Sequence, residues 1–570
     1  MPSQRRTPKS EPLKVWNDWS DGVGYYVDDP SIHGLYSSRL FVGTKGMLQV
    51  APRANKINLT GTHAGHTSTF PAQYFFEDKS SGDNTKLYVI SNTHDNNDAS
   101  GTPDIIKIDT DNANFGTIRG IRQQASRVYP TGQPAKYQAN WYIAGSTTAA
   151  AGDTRITELT TVAAAAAADT WTETASNAAF AATHIGLINN QLCKYVQGSG
   201  VNILKVDGTW STVADWGSFF EVGDRDEAAL ALAAGKGAMF TYSRTGIHSF
   251  NDRGRVGLAV EDMASWREYL QPQYMKPWKE GFLIAHPTGL LYWIPGSPPI
   301  NVGLSSKQNG PLVPNMAFTT GVELRAGRYQ GFDVVGDNVY AIYVDNVDTG
   351  TVVSALALLL HGRAVDGNPT NIAWHVLSAS QMNNVNQFHG AFVATTAQPI
   401  ASSALTPTLF WAAGQAPGDA SGQGLRYIPL AGDGSPIAPR SRLEFLDLNS
   451  STSVTVPNSE AYFSELFFSD GVDLTDIVIF TQDMETDDSL EIRLIVDSED
   501  TNINAGSSDP VFNDRQVGAP IQGNGRHLRK IGMQDVYRVM VHLTFSTTGA
   551  TSRTTPPPSI RQVVLYGNPR

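Results

Sequence analysis

One cysteine, Cys193, occurs in 570 residues. A single thiol cannot close an internal disulfide, so the disulfide framework of small secreted domains is excluded, and so is a cysteine-rich metal centre. Cys193 lies in the alternating stretch NNQLCKYV, a pattern that predicts a small buried hydrophobe rather than a nucleophile. Charge is also scarce. Asp, Glu, Lys and Arg make up 17% of the chain, against about 25% in average soluble proteins. The formal net charge is −12, which disfavours polyanions as partners. The one dense basic cluster, Arg5, Arg6, Lys9 and Lys14, reads as a flexible polar arm, so nucleic acid is not an expected partner. No apolar run approaches the ~18 residues of a membrane-spanning helix; the nearest is ALALLL at 355–360. The first 15 residues lack the apolar segment of a secretory signal, and the expectation is synthesis in a cytoplasm.

Motifs of chemistry are missing as well. There is no G-x-x-x-x-G-K-[ST] phosphate loop, no G-x-S-x-G elbow, no G-x-G-x-x-G between strand and helix, and no H-E-x-x-H. His63, His66 and His94 have no metal-site spacing, and DTDNANFG at 109–116 lacks the downstream glutamate of a calcium loop. Glycosidase chemistry needs two carboxylates at a set separation. The acidic clusters DRDE (224–227) and DMETDD (483–488) read as solvated turns, and KVDGTW (205–210) as a turn with Trp210 packed beneath it. The reading is a non-enzyme, with no catalytic, cofactor-binding or metal residues assigned.

What fills the chain is Gly, Ser, Thr and Asn beside 41% apolar and 9% aromatic residues. Those residues suit turns and strands. The stretch SRTGIHSFND (243–252) is echoed by HPTGLLYWIP (286–295), with Gly246 on Gly289 and Phe250 on Trp293 at an offset of 43 residues. The form, apolar strand, tight turn, apolar strand, recurs at 40–50, 185–196, 239–250, 282–293 and 332–344. Gly and Asn sit at the turns, because hairpin turns need positive φ. Further strand pairs are 86–91 with 104–111, 138–146 with 154–162, 354–363 with 371–378, and 388–396 with 408–414 and 424–432. One hairpin core every ~40–55 residues predicts a β-propeller of about seven blades over 36–438.

Helices are expected in few places: the six alanines 163–168 and DEAALALAAGKG (226–237) each fit a short loop helix or a small-residue insertion, and VEDMASWREYL (260–270) fits a helix, with Met263, Trp266 and Leu270 at helical spacing. After about 440 the strands lengthen. Leu490, Ile492, Leu494 and Val496 share one face, as do Val539, Val541, Leu543 and Phe545. This predicts antiparallel sheet with one wet side, a C-terminal β-sandwich or jelly roll over 439–570. Residues 1–35 remain as an N-terminal arm and docking segment.

The opening WNDWSDGVGYYVDDPSIHGLYSSRLFVGTKGMLQVAPR (16–53) carries the phrase Asp18-Trp19-Ser20-Asp21-Gly22, and the chain ends TTPPPSIRQVVLYGNPR. Both resemble propeller-type minor tail proteins of tailed bacteriophages, whose opening phrase is Asp-Trp-Ser-Gly-Gly-like; this chain departs at one residue. The resemblance implies a virion component at the tail tip or baseplate, without enzymatic activity, made in the host cytoplasm. It implies other tail and baseplate proteins as partners, and a homo-oligomer. The candidate assembly contacts are Trp16, Trp19, Tyr25 and Tyr26, since interfaces favour aromatics; the competing reading is that the two tryptophans pack the first strand into the blades. A second reading is host-glycan recognition, with Tyr462, Phe463, Phe467 and Phe468 of the C-terminal sandwich stacking on sugars. A third is a polysaccharide hydrolase, which would require a pocket with paired carboxylates.

Overall fold

A computed structural model describes, apart from short gaps, residues 10–19, 35–57, 72–91, 105–122, 129–146, 154–159, 173–174, 182–222, 231–261, 274–303, 328–348, 353–382, 390–397, 406–413, 424–436, 459–497, 513–547 and 558–569. The architecture is all-β and antiparallel. Among the described residues there is no α-helix, and no helix long and apolar enough to cross a membrane.

Seven small sheets follow one another along the chain. The first holds Ala72–Asp78, Lys86–Ser91, Ile105–Asp109 and Ile118–Arg122. The second is built on Ala135–Tyr137, Asn140–Ser146 and Thr154–Leu159. The third is His184–Ile188, Gln191–Val196 and Gly200–Ile203. Ala231–Gly235, Ala238–Tyr242, Gly246–Phe250 and Val256–Glu261 form the fourth. Met275–Trp278, Gly281–His286, Gly289–Trp293 and Ile300–Asn301 form the fifth. The sixth has longer strands, Arg328–Val335, Asn338–Asp348, Val353–Val365 and Asn368–Met382. The seventh joins Ala391–Ala397, Thr406–Ala413 and Gly424–Pro429 to Asn55–Lys56, from far upstream.

The 43-residue echo is one structural unit used in consecutive sheets. In the fourth, Met239 pairs with Phe250; in the fifth, Phe282 pairs with Trp293. Gly246 and Gly289 open the equivalent strands at φ 157° and 149°, where a side chain is strained. The two sheets pack through these residues: the Phe240 ring lies 4.9 Å from Phe282 and 5.3 Å from Trp293. Asn189 and Asn190 turn the third sheet's hairpin at φ 47° and 62°, the positive values its two-residue loop demands.

Each sheet packs on the next in chain order, and the seventh packs back on the first. That last contact is apolar: Phe75, Leu87 and Val89 share a cluster with Ala394, Phe410 and Leu425, and Ile57 joins it beside the added strand.

The remaining strands form a ten-stranded sheet from both ends of the chain. Gly525–Thr547 is its spine, 23 residues long. One end of it pairs with Leu466–Gln482, and the other with Asp488–Asp497 and Ser459–Phe463. Three register shifts lie along the Leu466–Gln482 pairing. Such bulges bend a strand, and the bent sheet wraps one core. Ile477, Ile479 and Leu565 meet Leu490, Ile492, Leu494, Leu543 and Phe545 there. The alternation read from the sequence thus marks the inward face. On the outward face Ile495 and Met540 pack with Tyr329, Trp374 and Val376, and so seat this sheet on the sixth.

Three features differ from the sequence reading. The segment 40–50, expected in the ring of repeats, belongs to the large sheet: Leu40–Val42 pairs with Leu48–Val50, whose Gln49 stands opposite Ser559. Of the expected arm 1–35, the described strand Glu11–Trp16 is not separate, because it pairs with Ser559–Pro569; Leu35–Ser38 pairs with Ser459–Phe463. In the alanine-rich 226–237, Ala231–Gly235 is a strand rather than a helix. Hydrogen bonding across to Ala238–Tyr242 outweighs the local preference of alanine. The alanines 163–168, and Met263, Trp266 and Leu270, lie outside the described residues.

Candidate functional site

A polar contact binds the first strands of the fifth, sixth and seventh sheets. Lys276 Nζ of the fifth sheet lies 2.9 Å from Asp333 Oδ1 of the sixth. The same oxygen accepts the Val334 N–H, and Oδ2 accepts the Val393 N–H of the seventh at 2.7 Å. A carboxylate held by an ammonium and two N–H groups is a fixed structural tie. Beside it, Tyr274 of the fifth sheet meets Tyr74 of the first at 5.5 Å between ring centres. Burial, then the Tyr74 and Asp333 charges, hold the Tyr274 phenol far above its ordinary pKa, so it stays neutral.

Around this tie lies a cavity of about 390 Å³, inside the ~300–1,000 Å³ range of small-molecule sites. The first sheet contributes Tyr74, Phe75, Phe76 and Glu77, and the second Gln133, Pro134 and Trp141. The fifth adds Tyr274 and Lys276, and the seventh Ala391, Phe392 and Val393. A smaller pocket, which shares Gln133, continues past His184 and Ile185 of the third sheet to Ala231 and Leu232 of the fourth. Asp333 of the sixth sheet ties Lys276 and Val393, which line the larger cavity. Tyr74, Phe75, Phe76 and Tyr274 are buried; Glu77, Gln133, Trp141, Lys276 and Phe392 are partly open. The rim is ordered by stacking. Phe76 lies 4.3 Å from Trp141, and Phe75 is nearly parallel to Phe392, 6.1 Å away and tilted by 7°.

The sequence-predicted contacts fall elsewhere. Trp16 and Trp19 are 7% and 4% exposed, in the core of the large sheet against Phe463 at 5.1 and 6.1 Å. This corrects their reading as assembly contacts. A β-strand places alternate side chains on opposite faces, so pairing with Ser559–Pro569 points Trp16 inward and leaves Val15 outward and exposed. Tyr25 and Tyr26 lie outside the described residues. Of the proposed sugar-stacking residues, Phe463 is fully buried and Phe468 packs against the same core; the side chains of Tyr462 and Phe467 lie outside the described residues.

The acidic DMETDD segment is a turn in which Glu485 N–H donates to Asp488 Oδ2, and Met484 N–H ties it to Asn524 Oδ1. Trp210 is buried, and its carbonyl accepts the Trp216 indole N–H. His63, His66, His94 and the DRDE cluster lie outside the described residues, as do residues 111–116. The cavity residues carried no motif. Aromatics recur in Ala72–Asp78, Arg328–Val335 and Ala391–Ala397, but not in His184–Ile188 or Ala231–Gly235, so they form no repeated signal.

No family model matches the chain, and no curated protein matches it. Solved structures give distant likenesses. The extracellular domain of a hybrid two-component system from B. thetaiotaomicron is 10% identical, with a TM-score of 0.38; the alignment covers 88% of this chain and 62% of that one, so the chain spans about three fifths of its length. An exo-β-1,3-galactanase from Phanerochaete chrysosporium is 9% identical at a TM-score of 0.23, over 90% and 100% of the two chains. A xylan β-1,4-xylosidase from Bacillus halodurans is 8% identical at 0.20, over 77% and 98%. Scores this low do not establish a common fold, and none of these names bears on what this chain does.

Proposed function

We propose that the chain is a seven-bladed β-propeller carried on a C-terminal β-sandwich, and that it is a structural protein of a bacteriophage tail. The propeller reading draws on seven successive sheets, their packing from seventh back to first, and the upstream strand Asn55–Lys56 that completes the last sheet. Such a strand ties the two ends of a ring together. The sandwich includes the N-terminal strands, so its extent is 11–50 with 459–569 rather than 439–570 alone.

One observation carries the functional reading. The two segments that resemble tail proteins lie at opposite ends of the sequence, yet they are hydrogen-bonded neighbours. Trp16 stands opposite Val563, and Gln49 opposite Ser559. The described ends of the opening segment and the closing strand therefore share one sheet, which supports reading the two short resemblances together. The protein works by assembly with further copies and with other tail or baseplate subunits, and by contact with the host surface, not by catalysis. Asp333 suits this reading, since its oxygens are committed to linking sheets.

Light scattering of the purified 61.5 kDa chain across a hundredfold concentration range tests the assembly. A discrete closed oligomer is expected, as symmetric virion parts require. A strict monomer that also fails to bind isolated tail particles would sink the proposal. Release of reducing sugar from host polysaccharide would overturn its non-enzymatic part.

A further inference from the structure

The open residues of the central cavity combine three chemistries. Glu77 is a carboxylate, Gln133 an amide and Lys276 an ammonium, and Phe392 adds a flat apolar ring beside Phe75. The charges disfavour ionic ligands. The Lys276 ammonium is answered by Asp333 at 2.9 Å, and Glu77 adds a negative group at the rim, so an anion meets no uncompensated cation here. A cation would place its charge beside the Lys276 ammonium, which lines the same cavity. A neutral polyol fits what remains. Its hydroxyls both donate and accept, matching carboxylate, amide and ammonium in one site. Its C–H face can lie on Phe392. Burial of Tyr74 and Tyr274 and the Asp333 tie fix the floor before a ligand arrives, and a preorganised site loses less on binding.

We propose that this cavity binds a neutral saccharide unit, such as the end of a host-surface glycan chain. The proposal rests on the reading that the protein touches the host surface, and it moves sugar contact from the sandwich aromatics to the ring's centre. Glu77 and Gln133 orient the hydroxyls, Lys276 donates while still paired with Asp333, and Phe392 supplies the stacking face.

The test is saturation-transfer NMR on the full chain with glucose, galactose, N-acetylglucosamine and rhamnose in turn. At least one should receive saturation, and its signal should fall fivefold or more in Phe392→Ala and in Glu77→Gln. Both side chains are partly open, so Glu77→Gln keeps the test usable if Phe392→Ala unfolds. No transfer to any of the four sugars, or undiminished transfer in the folded variants, overturns the proposal. Native mass separates it from the assembly reading. A discrete oligomer without sugar binding removes the cavity proposal alone, and a monomer that binds sugar but no isolated tail particles removes assembly alone.

Discussion

Acidification should destabilise this protein well above the pH at which carboxylates titrate, and two buried histidines set the size of the effect. His361 of the sixth sheet is 5% exposed and stacks on Tyr340. Its Nε2 lies 2.8 Å from Asn338 Oδ1. The Asn338 amide nitrogen donates to the Val335 and Asp433 carbonyls, which leaves Oδ1 as the acceptor and puts the imidazole proton on Nε2. A second proton must go to Nδ1, which has no partner. Burial first, then the His375 and Arg363 charges, against a smaller opposing effect of Asp433, push the pKa down to about 3. His542 of the large sheet is pushed down to about 4 by burial and Arg493, with Glu491 opposing.

Unfolded, both titrate near 6.5. The depressed folded values mean that this stability is complete above pH 6.5 and drains away as pH falls toward 3–4. Each histidine costs about 1.4 kcal/mol per pH unit in that window, so about 2 kcal/mol each has gone by pH 5. Urea denaturation at pH 7.5, 6, 5 and 4.5 measures it, and His361→Gln should flatten the slope of the ring's transition while leaving that of the large sheet. Equal midpoints at pH 7.5 and 5, or a His361 ¹³C resonance that titrates near 6.5 in the native protein, would refute the reasoning.

Three further outcomes are expected. Trp16→Ala should cost about 3–5 kcal/mol in urea denaturation, because it empties a core position against Phe463; an unchanged midpoint would return Trp16 to the surface. Gly362→Ala should cost about 1–3 kcal/mol, since a Cβ there would sit 2.7 Å from the Trp374 and Ile372 side chains, and a stability equal to wild type would contradict that packing. Cys193 is fully buried and its thiol is pushed up to about 12 by burial, so a disulfide reagent should label it only as fast as the third sheet opens; labelling at the rate of a free thiol would refute its placement.

Local chemistry was legible in the sequence. The turns at Asn189-Asn190 and Gly336-Asp337-Asn338, the 43-residue echo, and the inward faces of 490–496 and 539–545 follow from positive-φ preference and two-residue periodicity, which act over a few residues. An all-β chain of repeated antiparallel hairpins follows from those alone. Partners distant in sequence were not legible. Nothing near Asn55 marks it for Tyr427, and nothing near Trp16 marks it for Val563, because strand pairing is backbone chemistry common to every edge. The same holds for the cavity: Asp333, Lys276 and the Val393 N–H stand about 60 residues apart in succession and meet only when the sheets pack. Alanine-rich 231–235 shows the order of forces, since helix propensity of a few tenths of a kcal/mol per residue yields to a sheet neighbour. The sequence by itself determined the hairpins, whose energetics are local; tertiary packing decided which edges met, which tryptophans were core, and where a ligand could enter.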